Sequence, residues 1–108
     1  MIPELTARID AIAVACRRAG VRTLEVFGSA ATESFDPLRS DVDFIVDLNP
    51  AEGSDLFRRY FTLKGELEAI LDRPVDLVMI GALRNPYFVD SVNETRKTVY
   101  AFPVSQAA

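Results

Sequence analysis

The residues best suited to chemistry are two aspartates, Asp41 and Asp43, at the start of an apolar run. On a β-strand, side chains two positions apart leave the same face, so the two carboxylates would lie side by side. Carboxylates at that separation repel each other, and a divalent cation bound to both removes the repulsion. Phe44, Ile45 and Val46 place this strand in the interior, where an unpaired acidic pair would be costly. The pattern therefore indicates a metal site.

Spacing alone does not distinguish this pair from chance. A chain with 16 acidic residues among 108 should contain about two acid–x–acid pairs at random. It contains two, and the second is Glu66 and Glu68. That pair falls in a helical pattern, where positions i and i+2 do not face each other, so we interpret it as solvated surface. Asp47 shares the parity of Asp41 and Asp43 but lies at the far end of the strand, and we interpret it as structural.

Gly28 and Ser29, which directly follow another apolar strand pattern, add a possible anion site. A glycine there lets the backbone turn sharply and approach a ligand. If a short helix begins at Ser29, its free N–H groups and the hydroxyl would face an anion such as a triphosphate. The alternative is an ordinary turn in which Ser29 is only an N-cap.

Asp76 is the third candidate carboxylate, because it interrupts the apolar run Val75–Met79. A strand next to the one that carries Asp41 and Asp43 would bring all three groups together. Three such carboxylates can hold two Mg²⁺ ions roughly 3.5–4 Å apart and can activate an attacking hydroxyl. The alternative is that Asp76 faces solvent on a half-exposed sheet.

Hydrophobic spacing and turn signals predict the elements that must position these residues. In chain order they are a helix over 3–19, a strand over 21–27, a short helix after Ser29, a strand over 42–48, a long helix capped by Ser54, a strand over 75–80, a helix over 86–95 capped by Asn85, and a short strand over 98–102. This order predicts an α/β (α+β) fold, with a three- to four-stranded mixed sheet and flanking helices. We expect one domain over residues 1–102 and a flexible tail over 103–108.

Several other aromatic and basic side chains have simple structural interpretations. We interpret Phe57, Tyr60 and Phe61 as core, and the following basic residues as solvated helix ends and faces: Arg17, Arg18, Arg58, Arg59, Arg96 and Lys97.

The composition excludes several classes of protein. The chain has no histidine, which removes Ser–His and Cys–His nucleophiles and the common zinc sites. Its net charge of −4 argues against binding to a nucleic-acid backbone. Cys16 has no partner for a disulfide, and no apolar run approaches the roughly 20 residues of a membrane span. We therefore expect a cytoplasmic protein with no membrane contact and no direct nucleic-acid binding.

Several motifs in the same order resemble the DNA polymerase β-type nucleotidyltransferase superfamily. They are more specifically similar to the minimal nucleotidyltransferases (MNT), the antitoxins of HEPN/MNT toxin–antitoxin pairs. The segments that carry the resemblance are Phe27–Gly28–Ser29–Ala30–Ala31, Phe35–Asp36–Pro37, Arg39–Ser40–Asp41–Val42–Asp43–Phe44, Arg73–Pro74–Val75–Asp76–Leu77–Val78 and Ala82–Leu83–Arg84–Asn85–Pro86–Tyr87. The similarity extends over almost the whole chain, from the first helix to Ala101.

The resemblance implies a polymerase β-type fold and a role for each site residue. Asp41 and Asp43 would bind two Mg²⁺ ions, and Asp76 would complete one metal site and act as the base toward the acceptor. The nucleotide-binding residues by the same resemblance are Gly28, Ser29 and Ser40. The reaction would transfer AMP from ATP to a hydroxyl. The acceptor would be a Tyr of a HEPN toxin, with which the chain could form a hetero-oligomer.

One departure from the family leaves two alternatives open. The family commonly carries Arg–Gly shortly after Gly–Ser, and this chain has Thr32 and Glu33 at those positions. Thr–Glu cannot replace the phosphate-pairing charge of an arginine. A catalytically weak or inactive antitoxin that neutralises its partner by binding alone is therefore one alternative. A stand-alone transferase for a small hydroxyl compound, such as an aminoglycoside, is the other.

Overall fold

The computed structural model describes residues 1–32, 36, 41–50 and 55–102. The predicted tail at 103–108 and the predicted nucleotide ligand Ser40 lie outside the described residues. The elements in chain order are α1 (Pro3–Ala7), α2 (Ile9–Ala19), β1 (Val21–Phe27), a 3-10 turn (Gly28–Ala31), β2 (Val42–Leu48), α3 (Leu56–Leu71), β3 (Val75–Met79), a second 3-10 turn (Ile80–Ala82), α4 (Pro86–Thr95) and β4 (Lys97–Ala101). In the described part of the chain, no helix is long and apolar enough to cross a membrane.

The four strands form one mixed sheet in the order β3-β2-β1-β4. β1 pairs antiparallel with both β2 and β4, whereas β2 and β3 run parallel. The parallel pair needs a crossover connection, and α3 supplies it. The predicted mixed sheet with flanking helices is confirmed, and the short last strand is its fourth member.

The two faces of the sheet bury apolar side chains against different helices. One face carries Leu24, Val26 and Phe44, all fully buried in the larger core that α1, α2 and α3 also line. The opposite face carries Phe27 and Ile45, which form a small cluster with Val92 of α4. Because side chains alternate along a strand, the aspartates of β2 point to the α4 side, where packing is thinner.

The predicted single helix over 3–19 is two helices, and this prediction was wrong at its centre. Arg8 interrupts the helix with φ −109° and ψ 12°, and α2 starts at Ile9. The break turns the first segment toward the 3-10 turn, where the Ile2 N–H donates to the Ala30 carbonyl at 3.0 Å. A tertiary hydrogen bond therefore sets the direction of α1.

The aromatic residues at the start of α3 contradict their predicted burial. Phe57 is 73% exposed and Phe61 is 59% exposed. Leu63 and Leu67 form the buried stripe of the helix, and Arg59 joins it because it precedes Leu63 by four positions. The two phenylalanines are also four positions apart, but they lie on the neighbouring face, which no described element covers.

Arg59 is buried, and the predicted solvated role of this residue is wrong. Its guanidinium donates to the carbonyls of Ala19 at 2.8 Å, Gly20 at 3.0 Å and Asn49 at 2.8 Å. The first two bonds reach carbonyls at the C-terminal end of α2, where the last carbonyls have no partner within their own helix. The side chain therefore joins α2, α3 and the end of β2.

The N-cap of α3 is also one position later than predicted. The Asp55 carboxylate accepts hydrogen bonds from the N–H groups of Phe57 and Arg58. Ser54, the predicted cap, lies outside the described residues. The predicted cap of α4 agrees with the structure, because Asn85 accepts from the N–H groups of Tyr87 and Phe88.

Candidate functional site

Strand register brings the predicted carboxylates to one place. Asp43 of β2 is the direct partner of Asp76 of β3, and on its other side it faces Phe27, the last residue of β1. Asp41 immediately precedes β2. The expectation that a neighbouring strand would place Asp76 beside the acidic pair agrees with this geometry. The three carboxylates lie at one end of the sheet, next to the Gly28–Ala31 turn that follows β1.

The surroundings of Asp43 perturb its ionisation. Burial, together with the negative charges of Asp76 and Asp41, raises the pKa of Asp43 from 3.8 to about 6. Asp43 is half-buried, whereas Asp41 and Asp76 are exposed. A raised carboxyl pKa means that the ionised form is held at a cost, which a bound cation would remove.

The side chains are close enough to interact electrostatically but do not form a ready-made metal cage. Among residues 1–32, 36, 41–50 and 55–102, no three carboxylates or thiols converge as the ligands of one ion do. The metal-binding roles of Asp41, Asp43 and Asp76 therefore remain predictions.

Both the backbone conformation and the surrounding atoms favour glycine at position 28. Its φ of +72° lies in the left-handed region that residues with a side chain rarely adopt. A Cβ at this position would sit 3.0 Å from Oδ2 of Asp43. The glycine therefore allows the turn to approach the carboxylate, as its position after a strand had suggested.

The turn after Gly28 differs from the predicted anion site in one detail. The Gly28 N–H donates to Oγ1 of Thr95 at 2.8 Å, so this amide is already engaged by the protein. Ser29 is half-buried, and its hydroxyl makes no hydrogen bond to any part of the chain that the structure describes. Thr32 closes the turn, because its N–H and its hydroxyl both donate to the Ser29 carbonyl at 3.1 Å.

Thr95 is a residue that the sequence reasoning missed. It is the last residue of α4, and the sequence predicted that helix end correctly. Nothing local links it to Gly28, which is 67 positions away. A hydroxyl at a helix terminus is the only signal available, and it does not name its partner.

Arg96, next to Thr95, is half-buried and does not have the solvated role predicted for it. It donates through Nε and Nη2 to both carboxylate oxygens of Glu25 in β1. The ion pair raises the pKa of Arg96 above its usual value. Bidentate pairs of this type fix geometry as well as charge. The C-terminal end of α4 is thus fastened to the strand that leads into Gly28.

Asp47 lies outside the carboxylate cluster. It pairs with Arg22 at 3.2 Å on the neighbouring strand, in keeping with its structural interpretation. A separate apolar groove of about 580 Å³ lies between α3 and β3, and none of the three candidate carboxylates lines it. Its lining residues are Leu56, Phe57, Tyr60, Leu77, Val78, Met79 and Ala82.

Comparison with known proteins gives concordant matches. A sequence model of the nucleotidyltransferase domain family matches residues 9–99. A protein of Methanocaldococcus jannaschii, named as a candidate protein adenylyltransferase, is 35% identical over 74 residues, which are 68% of this chain and 71% of that protein.

Solved structures agree with the sequence matches. A structure described as a candidate minimal nucleotidyltransferase superposes with a TM-score of 0.68 at 32% identity, covering 86% of this chain and 90% of the other. The MNT antitoxin complex with a tri-AMPylated HEPN toxin of Shewanella oneidensis superposes with a TM-score of 0.61 at 20% identity, covering 91% of this chain and 73% of the other. At 20% identity, the match to the Shewanella complex shows similarity of fold alone.

Proposed function

Because the chain belongs to the nucleotidyltransferase domain family and is a nucleotidyltransferase, we propose that it transfers AMP from ATP to a hydroxyl of a partner protein. The partner is a HEPN-type toxin and the acceptor is one of its tyrosines, so the chain acts as the antitoxin of the pair. The M. jannaschii relative, named as a candidate protein adenylyltransferase, supports transfer to a protein. The choice of a HEPN-type partner follows what the Shewanella protein of the same fold is bound to.

The observation that carries the proposal is the pairing of Asp43 with Asp76 beside Gly28. Two directly opposed carboxylates weaken a sheet because like charges repel across strands. A site that keeps this repulsion, and raises the pKa of Asp43 to about 6, is suited to a cationic ligand.

The donor set fits Mg²⁺, which prefers carboxylate oxygens. Asp41, Asp43 and Asp76 would hold it, and the exposed side chains of Asp41 and Asp76 can reorient toward an ion without disturbing the core. When bound, Mg²⁺ supplies the charge neutralisation that a triphosphate requires in a protein with a net charge of −4.

The remaining roles belong to groups of the chain itself. The Ser29 hydroxyl is available to bind a phosphate oxygen, and Gly28 lets the turn approach the reacting group. The bond that forms joins the acceptor oxygen to the α-phosphorus of ATP, and pyrophosphate leaves with the bridging oxygen. Asp76 accepts the proton of the acceptor hydroxyl. Catalysis of this kind depends on positioning and charge, and needs no histidine.

The test incubates the chain with a HEPN partner, ATP and Mg²⁺ and reads the intact mass of the partner for added AMP. Wild type should modify the partner. Asp41→Asn/Asp43→Asn and Asp76→Asn should each lower the rate by more than about 100-fold, because even groups that only support metal ligands are worth 10- to 100-fold.

Asp47→Asn is the matched control for this experiment. Asp47 lies on the same strand and face as Asp43 but pairs with Arg22 away from the site. This variant should modify the partner at the wild-type rate. Absence of modification by wild type, together with full toxin neutralisation by Asp41→Asn/Asp43→Asn, would exclude the proposed transfer.

A second candidate function is neutralisation by binding alone. It is favoured by Thr32, which occupies the position of the family arginine and directs its hydroxyl into the turn, to the Ser29 carbonyl at 3.1 Å. This function predicts a stable toxin complex without a nucleotide requirement. Toxin neutralisation that is unaffected by removal of ATP and Mg²⁺ would support it.

A further inference from the structure

One amide next to the carboxylates is held by a residue from the far end of the chain. The Gly28 N–H donates to Oγ1 of Thr95 at 2.8 Å, across 67 positions of sequence. The bond is partly buried and joins the C-terminal end of α4 to the first residue of the turn. It therefore fixes where β1 ends and where the turn begins.

The helix end that carries Thr95 is itself fixed from two sides. Arg96 forms its bidentate ion pair with Glu25 of β1, and its N–H donates to the Val92 carbonyl at 2.9 Å. On the inner side Val92 is 1% exposed against Phe27 and Ile45. Thr95 thus presents its hydroxyl from a helix end that is held on two sides.

The position of Gly28 matters because there is little space on its other side. A Cβ on Gly28 would be 3.0 Å from Oδ2 of Asp43, so the backbone and the carboxylate already approach closely. A change in the direction of the Gly28 amide would move the turn relative to Asp43 and relative to Ser29. The Thr95 bond opposes that change.

We propose that Thr95 is a positioning residue for the nucleotide site. Its hydroxyl accepts from the Gly28 N–H and so holds the Gly28–Ser29 turn against Asp43. The inference rests on the proposed function, since the turn is taken to bind the triphosphate. In this arrangement the Gly28 N–H is bonded to Thr95 and is not available to a phosphate. The phosphates are therefore contacted by Ser29 and the groups after it.

The test compares Thr95→Val with Thr95→Ser. Valine keeps the shape of threonine but removes the acceptor, whereas serine keeps the hydroxyl. Thr98→Val is the matched control, because Thr98 lies exposed on β4 nearby and valine suits a strand. All variants are first checked for a cooperative thermal transition, since a folded protein is needed for the comparison.

The first measurement is the ¹⁵N–¹H resonance of Gly28 and its hydrogen exchange, which do not depend on activity. In Thr95→Val this resonance should shift and its protection should fall, and Thr95→Ser should restore both. A Gly28 resonance and exchange rate that are unchanged in Thr95→Val would overturn the inference while leaving the proposed function intact.

The second measurement is the KM for ATP in transfer to the HEPN partner, with Mg²⁺ saturating. Thr95→Val should raise this KM about tenfold, because a factor of ten corresponds to about 1.4 kcal/mol, the size of one hydrogen bond. The KM for the partner protein should not change. Thr95→Ser should stay within twofold of wild type. Wild-type KM for ATP in a Thr95→Val protein that has lost Gly28 protection would overturn the inference.

Failure of the proposed function would look different. In that case wild type itself shows neither transfer nor calorimetric binding of ATP with Mg²⁺. The proposed positioning role of Thr95 is then excluded together with the proposed function. If wild type binds ATP without transferring it, the same tenfold weakening is expected in the calorimetric Kd. Equal affinities of Thr95→Val and wild type would then overturn the inference.

Discussion

Asp43 is the residue at which function and stability conflict. It is half-buried on the α4 face of the sheet, opposite Asp76 and close to Asp41. Its raised pKa means that the folded state binds the proton more tightly than the unfolded chain does. The contribution of Asp43 to the free energy of unfolding is therefore largest where Asp43 is protonated. This contribution falls as pH rises from about 4 through the folded pKa of about 6.

Replacement of Asp43 by Asn should stabilise the protein at neutral pH. At pH 7.5 without Mg²⁺, we expect Asp43→Asn to raise the free energy of unfolding by about 1 kcal/mol, reduced for solvent screening, and the Tm by about 5 °C. Near pH 4 most of the gain should vanish, because the carboxyl is then protonated in the folded state and about half protonated in the unfolded state. Thermal melts across this pH range measure it.

Two comparisons make the Asp43 result specific. Mg²⁺ should raise the Tm of wild type and not that of Asp43→Asn, since a ligand stabilises only the state that binds it. Asp47→Asn, a partly exposed ion-pair partner of Arg22, should change the stability by less than about 0.5 kcal/mol at either pH. An equal gain for Asp43→Asn at pH 4 and 7.5 would contradict the electrostatic origin.

Gly28 provides a second residue-scale prediction. Gly28→Ala should cost about 1–2 kcal/mol because φ is +72°, with a further loss from the 3.0 Å approach to Oδ2 of Asp43. Gly65→Ala is the matched control, since Gly65 lies in α3 with nothing within 4 Å of its Cβ position. That change should stabilise the helix by about 0.5–1 kcal/mol. Urea unfolding of both variants measures the difference, and equal signs would be inconsistent with the backbone argument.

At the scale of elements, local signals predicted whatever local chemistry determines. β1 and β2 have the predicted bounds, because each is an apolar run with a clear stop signal or an acidic start. α4 also has the predicted bounds, since Asn85 and Pro86 specify its first turn. The sequence left the adjacency of Asp43 and Asp76 open, because it did not fix which strand lies beside β2; the parallel pairing of β2 with β3 aligns the two residues.

The errors at Phe57, Arg59 and Thr95 share one physical cause, which is that partners distant in sequence decide burial and hydrogen bonding. Periodicity placed Phe57 in the core, but no described element covers that face of α3. It placed Arg59 in solvent, although the carbonyls of Ala19 in α2 and of Asn49 after β2 lie within hydrogen-bond distance. Thr95 was missed for the same reason, because its partner is 67 positions away.

Arg59 allows a test of how much the hydrogen bonds of one side chain between α2 and α3 contribute to the free energy of unfolding. Arg59→Met keeps much of the length but removes every donor, so the hydrogen bonds to the carbonyls of Ala19, Gly20 and Asn49 are lost. We expect a loss of about 2–4 kcal/mol by urea unfolding. Arg58→Met, at an exposed position, should stay within about 0.5 kcal/mol. A loss of similar size at both positions would indicate a general effect of charge rather than these bonds.

At the scale of the whole molecule, the two faces of the sheet are unequally packed. α3 buries Leu63, Leu67 and Leu71 in the larger core, whereas Val92 is the residue of α4 that is buried. Since buried apolar area supplies most of the folding free energy, the α4 side is the weaker part of the described structure. The candidate site lies on that side, and α4 reaches it through Thr95.

This asymmetry predicts how the protein opens. In native-state hydrogen exchange the amides of α4 should exchange through a partial opening, at a lower free energy than the central amides of α3. The Gly28 amide should exchange together with α4 rather than with β1, because Thr95 is its acceptor. ATP with Mg²⁺ should slow exchange of Gly28 and the last turn of α4 together, since a ligand that requires the closed turn penalises its opening. Exchange of Gly28 at the rate of the β1 amides, with α4 as protected as α3, would show that the helix and the turn do not open as one unit.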